Sequence, residues 1–249
     1  MIALMYHDVY KDNPKESGFR NDSASQYKVK FDQFENQVQS IAEYCRKAGR
    51  EIRDVVEFTF DDGGVSFLTL VAPVLERYNL RGVFFISTKY IGSEGFLSQE
   101  MIKELSERGH TIGSHSHSHP KNISKLTYDE MVSEWKESMD VLSAILGKTV
   151  DMASIPNGFS SKDVLTACHY GGARIVYTSK PTTSCAYAGG VELRGRYVVH
   201  NTTDAAAVVK LVSEKAYRAS LYMKYIALSS CKFLFGNYYD RIKALIVRK

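Results

Sequence analysis

Strand and helix signals alternate along most of this 249-residue chain, and that alternation limits the fold more than any other feature. Repeated βα units of this size bury their strands best in a parallel sheet covered by helices, which predicts a parallel barrel. Residues 2–6 read as the first strand, followed by a polar loop from about 9 to 29 that contains Pro14 and Gly18. Phe31 to Lys47 reads as a helix with Phe34, Val38, Ile41 and Cys45 on one stripe. Val56, Phe58 and Phe60 alternate with Glu57 and Thr59, the period of a strand. A helix follows near Phe67 to Tyr78, then a buried strand from Gly82 to Ser87. Ser98 with Met101, Ile102 and Leu105 marks another helix, and Thr111 to Ser114 another strand. Thr127 caps a long helix, with Glu130 completing a capping box. Beyond it, Met152 to Ile155, Arg174 to Thr178 and Leu193 to Val199 read as strands, and Ser161 to Tyr170 as a helix.

The chemistry-bearing residues fall at strand ends. Thr59-Phe60-Asp61-Asp62-Gly63 closes an apolar run with two adjacent carboxylates and a glycine. In a parallel α/β fold, loops at the C-terminal ends of the strands build active sites. Two neighbouring carboxylates repel unless something positive separates their roles. A divalent metal does so, one carboxylate ligating it while the other stays free as a base. Gly113-Ser114-His115-Ser116-His117-Ser118-His119-Pro120 places three imidazoles within a few residues. Two His plus one carboxylate leave an open coordination position, as in catalytic zinc sites. In an extended chain all three His share a face, whereas in a helical turn only His115 and His119 do. Pro120 argues against a long helix here.

Together these residues resemble the polysaccharide deacetylase family (carbohydrate esterase family 4, NodB homology), which carries a T-F-D-D-G motif and a later H-[ST]-x-x-H motif. The resemblance spans roughly residues 1–210. It implies a distorted parallel (β/α) barrel with Asp61 as general base and Asp62, His115 and His119 as metal ligands. His117 falls on a variable position and reads as a supporting or surface residue. Most members also carry an L-x-L-H motif near the C-terminus, whose His protonates the leaving amine. Leu4-Met5-Tyr6-His7 resembles that motif moved to the front, as in a circularly permuted subgroup that includes deacetylases of poly-N-acetylglucosamine. His7 is therefore set ahead of His200 as general acid. The family's arginine before a Pro-aromatic-Gly turn is missing from Ser154-Ile155-Pro156-Asn157-Gly158, where Asn replaces the aromatic. Arg194 or Arg196 could substitute for that arginine, and the backbone N–H of Asn157 is expected to serve as oxyanion donor. The family's Asp-Trp motif, which supports the acid histidine, is also absent.

The implied activity is metal-dependent removal of an N-acetyl group from an amino sugar, in a polysaccharide or in its lipid- or nucleotide-linked precursor. Zinc is the first choice of metal, with cobalt, nickel, iron or manganese also suited to two imidazoles and a carboxylate. Two alternatives stand beside it. One is hydrolysis of a small non-sugar amide or ureide, which the missing aromatic keeps open; the other is a catalytically silent carbohydrate-binding relative.

Composition narrows the setting. With 44% apolar and 24% charged residues the chain is ordinary for a globular domain, and a net charge of +4 does not itself imply nucleic acid. Cys45, Cys168, Cys185 and Cys231 lack metal spacing and read as reduced, buried thiols. No signal peptide or bilayer-spanning run is visible, so a cytoplasmic protein is expected. Residues 211–249 form a helical, basic C-terminal extension in which Tyr222, Tyr225 and Phe233 interleave with Lys215, Arg218 and Lys224. Such a helix can lie on an anionic membrane, here the inner face. A helix packed on the barrel with a solvated basic face is set slightly ahead of it.

Overall fold

The structure is a computed structural model that describes the backbone of residues 1–235 and the side chains of residues 1–229. Cys231 and the basic and aromatic residues from Lys232 onward lie outside the described side chains. The chain opens with β1 (Ile2–Tyr6), β2 (Val9–Tyr10), α1 (Asp22–Ser25), β3 (Val29–Lys30), α2 (Phe31–Lys47), α3 (Ile52–Val55) and β4 (Val56–Phe60). It continues through α4 (Ala72–Arg77), β5 (Gly82–Ile86), α5 (Gln99–Glu107), β6 (Thr111–Ser114) and α6 (Tyr128–Leu146). Next come β7 (Met152–Ser154), α7 (Lys162–Tyr170), β8 (Ile175–Thr178) and β9 (Ala186–Ala188). The last elements are β10 (Val191–Gly195), β11 (Tyr197–Val198), α8 (Ala205–Ser213) and α9 (Lys215–Phe235).

Nine strands form one sheet in the order β11-β1-β4-β5-β6-β7-β8-β10-β9. Every pairing is parallel except that of β10 with β9. Strands β10 and β11 pair with β8 and β1 respectively, yet only Arg196 separates them in the chain. The sheet must therefore curl until its two sides meet, which gives the distorted barrel. The single strand expected over 193–199 is in fact two, because this segment leaves one neighbour for another at Arg196.

Alternation along the strands sorts side chains between two cores. Leu4, Tyr6, Phe58, Phe60, Phe84 and Val176 face outward into the main core under the helices. Ala3, Val83, Phe85 and Tyr177 face inward and fill the barrel with a smaller cluster. Helices α2 and α8 pack together on one flank, α6 and α7 on another. The expected capping box on α6 is present, Thr127 and Glu130 each accepting a bond from the other's backbone. The helix expected over Phe67–Tyr78 begins as a π-turn at Phe67–Val71 and becomes α-helical only from Ala72. Pro73 has no N–H to bond back to Thr69, so the first turn widens.

The segment read as a polar loop holds β2, α1 and β3, and its anchor is a buried charge. Asp8 accepts from the hydroxyls of Ser17 at 2.6 Å and Ser66 at 3.2 Å, and its backbone carbonyl receives Val29 N–H. The Lys28 ammonium lies 4.0 Å from that carboxylate and bonds the carbonyls of Pro14 and Ser17. Burial raises the Asp8 pKa to about 6 against the lowering effect of Lys28. Cys45 and Cys168 are buried as expected, but Cys185 is exposed. It precedes β9, an edge strand whose three residues are all exposed, so among the described residues no second layer covers it.

A Cβ on Gly64 would stand 1.7 Å from Asp8 Oδ1. Gly64→Ala should therefore push the carboxylate off Ser17 and Ser66 and lower stability by about 1–3 kcal/mol. Urea denaturation checks this; an unchanged midpoint would show that the Asp8 anchor does not depend on that contact.

Candidate active site

A parallel sheet brings all its strand C-termini to one rim, and the residues picked out in the sequence collect there. Strand β1 delivers His7, β4 delivers Asp61 and Asp62, β6 leads into His115–His119, and β7 into Asn157. Arg196 enters from the seam between β10 and β11.

Asp62, His115 and His119 offer ligand atoms that all lie within 4.8 Å of one another. Asp62 Oδ1 is 3.4 Å from His115 Nε2 and 3.3 Å from His119 Nε2. The donor set suits a divalent ion, and its orientation is fixed from behind. His115 Nδ1 lies 2.9 Å from the Ser154 carbonyl, which can only accept, so Nδ1 carries a proton, while Nε2 faces Asp62 and is the atom a bound ion would take in place of the Asp62 contact. His117 turns away, its ring nitrogens meeting Thr88 Oγ1 at 3.0 Å and Glu137 at 3.4 Å. Burial raises the Asp62 pKa, but hydrogen bonds from His115 and His119 win and hold it well below the usual carboxylate range.

Asp61 has a different environment. Arg196, itself buried, clamps it with two bonds, Nη1 to Oδ1 at 2.7 Å and Nη2 to Oδ2 at 2.8 Å. Ser154 Oγ adds a third at 3.0 Å. Of the two arginines open as substitutes for the missing one, Arg196 takes the position. Arg194 lies one pleat deeper, where it bonds Glu192 and the Tyr177 hydroxyl. Burial opposes ionisation of Asp61, but Arg196 and His115 outweigh it and lower its pKa.

His7 follows β1, the strand beside β4, and feels the charges of both carboxylates. Among the described residues its buried Nδ1 has no hydrogen-bond partner, and its ring stacks on Tyr27 at 4.6 Å. Burial lowers its pKa while Asp62 and Asp61 pull the other way. His200 lies one ring further out, 5.0 Å beyond Tyr27. Asn157 adopts φ 55°, ψ 11°, a left-handed conformation that Asn tolerates and an aromatic residue does not favour. The periodic pattern gave no hint of Tyr27, nor of Phe19, whose ring lies 4.9 Å from that of His119 and against Tyr90 and Phe96. Both come from the loop that the sequence left featureless.

Three side chains able to ligate a divalent ion thus sit beside an ionised acid and a buried imidazole. The family model described as Polysaccharide deacetylase matches residues 48–176. That segment contains Asp61, Asp62, His115, His119 and Asn157, while His7 and Arg196 fall outside it. PgdA of Listeria monocytogenes, a peptidoglycan-N-acetylglucosamine deacetylase, is 29% identical over 67% of this chain and 34% of its own length. A Bacillus cereus peptidoglycan-N-acetylglucosamine deacetylase is 28% identical over 41% of this chain and 36% of its own. The chain thus spans less than half the length of these curated relatives. In fold, it is similar to Streptococcus pyogenes deacetylase PplD, with a TM-score of 0.69 at 20% identity over 86% of this chain and 98% of that one.

A divalent ion titrated into metal-free protein should bind one per chain. His115→Ala should weaken it about a hundredfold or more, and His117→Ala should leave it unchanged. Calorimetry with zinc or cobalt reads both. Burial lowers the His119 pKa, but the bond and charge of Asp62 prevail and raise it. Protons should therefore begin to displace the ion above the ordinary imidazole value of about 6.5, affinity falling with pH. Equal loss with the two His variants would refute the assignment.

Proposed function

The chain belongs to the polysaccharide deacetylase family, and on that premise we propose that it is a metal-dependent hydrolase that removes the acetyl group from an N-acetylated amino sugar. The observation that carries this reading is the division of labour at residues 61 and 62. Asp62 faces two imidazoles, whereas Asp61 is held by Arg196 and Ser154 with no ligand role. Asp62, His115 and His119 would hold the ion, zinc by preference. The ion supplies Lewis acidity toward water and the acetyl carbonyl.

The residues perform the rest. Asp61, ionised and oriented by the guanidinium, takes a proton from water as its oxygen forms a bond to the acetyl carbon. The Asn157 backbone N–H donates to the oxyanion of the tetrahedral species, a contact worth a few kcal/mol. The C–N bond then breaks, and His7 gives a proton to the departing nitrogen because an amide nitrogen does not leave as an anion at neutral pH. Acetate and a free amine result. Phe19, Tyr90 and Phe96 form an aromatic wall beside His119. This wall supplies the sugar-facing surface that position 157 lacks, which favours a sugar over a small ureide as substrate.

Asp61→Asn should reduce acetate release from N-acetylglucosamine oligomers by about 10²–10⁴-fold with metal affinity retained. Near-normal turnover would remove Asp61 as the base. Arg196→Lys keeps a positive charge but not the two-pronged clamp, so Asp61 ionises less readily. The acidic limb of the kcat/KM profile should then move to higher pH, as the base is protonated over a wider range. A limb that stays in place would detach Arg196 from the base.

A further inference from the structure

Beside the rim, a groove of about 800 Å³ opens between the loop after β8 and the first turns of α9, a size that holds a small ligand. It adjoins the turn that carries Asn157. A Cβ on Gly158, next to Asn157, would meet Ser179 Oγ at 2.5 Å, so the turn after β7 touches the groove's wall. Its floor is equally tight: Arg196 N–H donates to the Lys180 carbonyl at 2.9 Å, and a Cβ on Gly195 would stand 2.4 Å from that same oxygen.

The lining has one sign of charge. Lys180, Lys215 and Arg218 contribute to it, and among its described residues there is no carboxylate. The Lys180 ammonium lies 5.5 Å from the centre of the Tyr222 ring, a cation–π contact that leaves its charge uncompensated. Arg218 is already engaged. Its Nη1 donates to the carbonyls of Leu211 at 2.6 Å and Val212 at 3.2 Å, tying α9 to the end of α8. What the groove presents to a ligand is thus two ammonium groups and a row of hydroxyls, Ser179, Thr182, Thr183 and Ser184. A planar carboxylate is matched best by a free guanidinium fork. Point charges and rotatable hydroxyls suit the several acceptor oxygens of a tetrahedral phosphate.

We propose that this groove binds a phosphate group carried by the substrate next to its acetylated sugar, with Lys180 and Lys215 as the anion contacts and Tyr222 against the adjoining ring. Such a phosphate occurs where a sugar is linked to a polyprenyl carrier and where phosphodiesters join a glycan. The proposal rests on the deacetylase reading for the acetylated end only, because anion binding requires no turnover.

The test is calorimetry on the metal-free chain with di-N-acetylchitobiose and with its reducing-end phosphate ester. The ester should bind about tenfold more tightly at low ionic strength, two charge-assisted contacts being gained, and salt should erode the difference. Lys180→Ala with Lys215→Ala should abolish the preference and leave the neutral sugar's affinity unchanged. Equal affinity for the two sugars, or a preference that survives the double variant, would overturn the proposal. A polyprenyl pyrophosphate disaccharide and a phosphodiester-linked tetrasaccharide, run alongside, identify the source of the phosphate by which of them gains most. Absence of acetate release from the zinc-loaded protein would count against the deacetylase reading alone.

Discussion

The pairing of Arg196 with Asp61 is the contact on which the site's geometry turns. Two ions taken out of water cost several kcal/mol each in desolvation, and their attraction offsets this only when the hydrogen bonding is nearly complete. Here it is. The guanidinium makes two bonds to Asp61, one to Thr59 and one to the Thr178 carbonyl, and it lies over the rings of Phe85 and Tyr177. Three strands and both sides of the barrel seam therefore meet at one side chain. With both its oxygens taken by Arg196, Asp61 lies outside the group formed by Asp62, His115 and His119, even though Asp62 is its chain neighbour.

Backbone conformation follows the same demand. Among the described residues five non-glycines have positive φ, and four of them, Asp62, Ser116, His119 and Asn157, belong to this rim. Each such conformation costs of order 1 kcal/mol or more, and persists only where its surroundings over-determine it. The reason is geometric. Adjacent residues of an extended strand point to opposite faces, so Asp61 and Asp62 could not both address one site. A φ of 87° at Asp62 swings its carboxylate back toward the imidazoles. Turns at Ser116 and His119 likewise let His115 and His119 converge while His117 faces Glu137. The ambiguity between extended and helical spacing is settled by neither, but by these two left-handed kinks.

What could be read from the sequence was local. Helix Phe31–Lys47 and the Thr127 cap follow from periodicity and a four-residue box, and strand Val56–Phe60 from alternation. Asp61, Asp62, His115 and His119 were legible because short motifs carry them. Choosing between Arg194 and Arg196 was not possible, since residues two apart share a strand face and differ only in depth. Depth is set by pairing of Gly195 with Thr178, a contact between segments that no local pattern connects. Tyr27 and Phe19 escaped for a related reason. Their loop lacks periodicity, and what folds it is the buried Asp8–Lys28 pair, whose members sit twenty residues apart.

These two kinds of information also divide the molecule by role. Asp61, the candidate ligands Asp62, His115 and His119, and the Asn157 turn all lie within residues 48–176, the part that matches the family model. The surfaces around them come from elsewhere: Phe19 and Tyr27 from the loop before α2, Lys180 and Tyr222 from the β8 loop and α9. Chemistry demands fixed positions within fractions of an ångström, so its residues follow rigid strand ends. Recognition tolerates variation, and loops outside the strands can change without moving the rim. A groove built from such loops can therefore differ between chains whose rim residues stay in place.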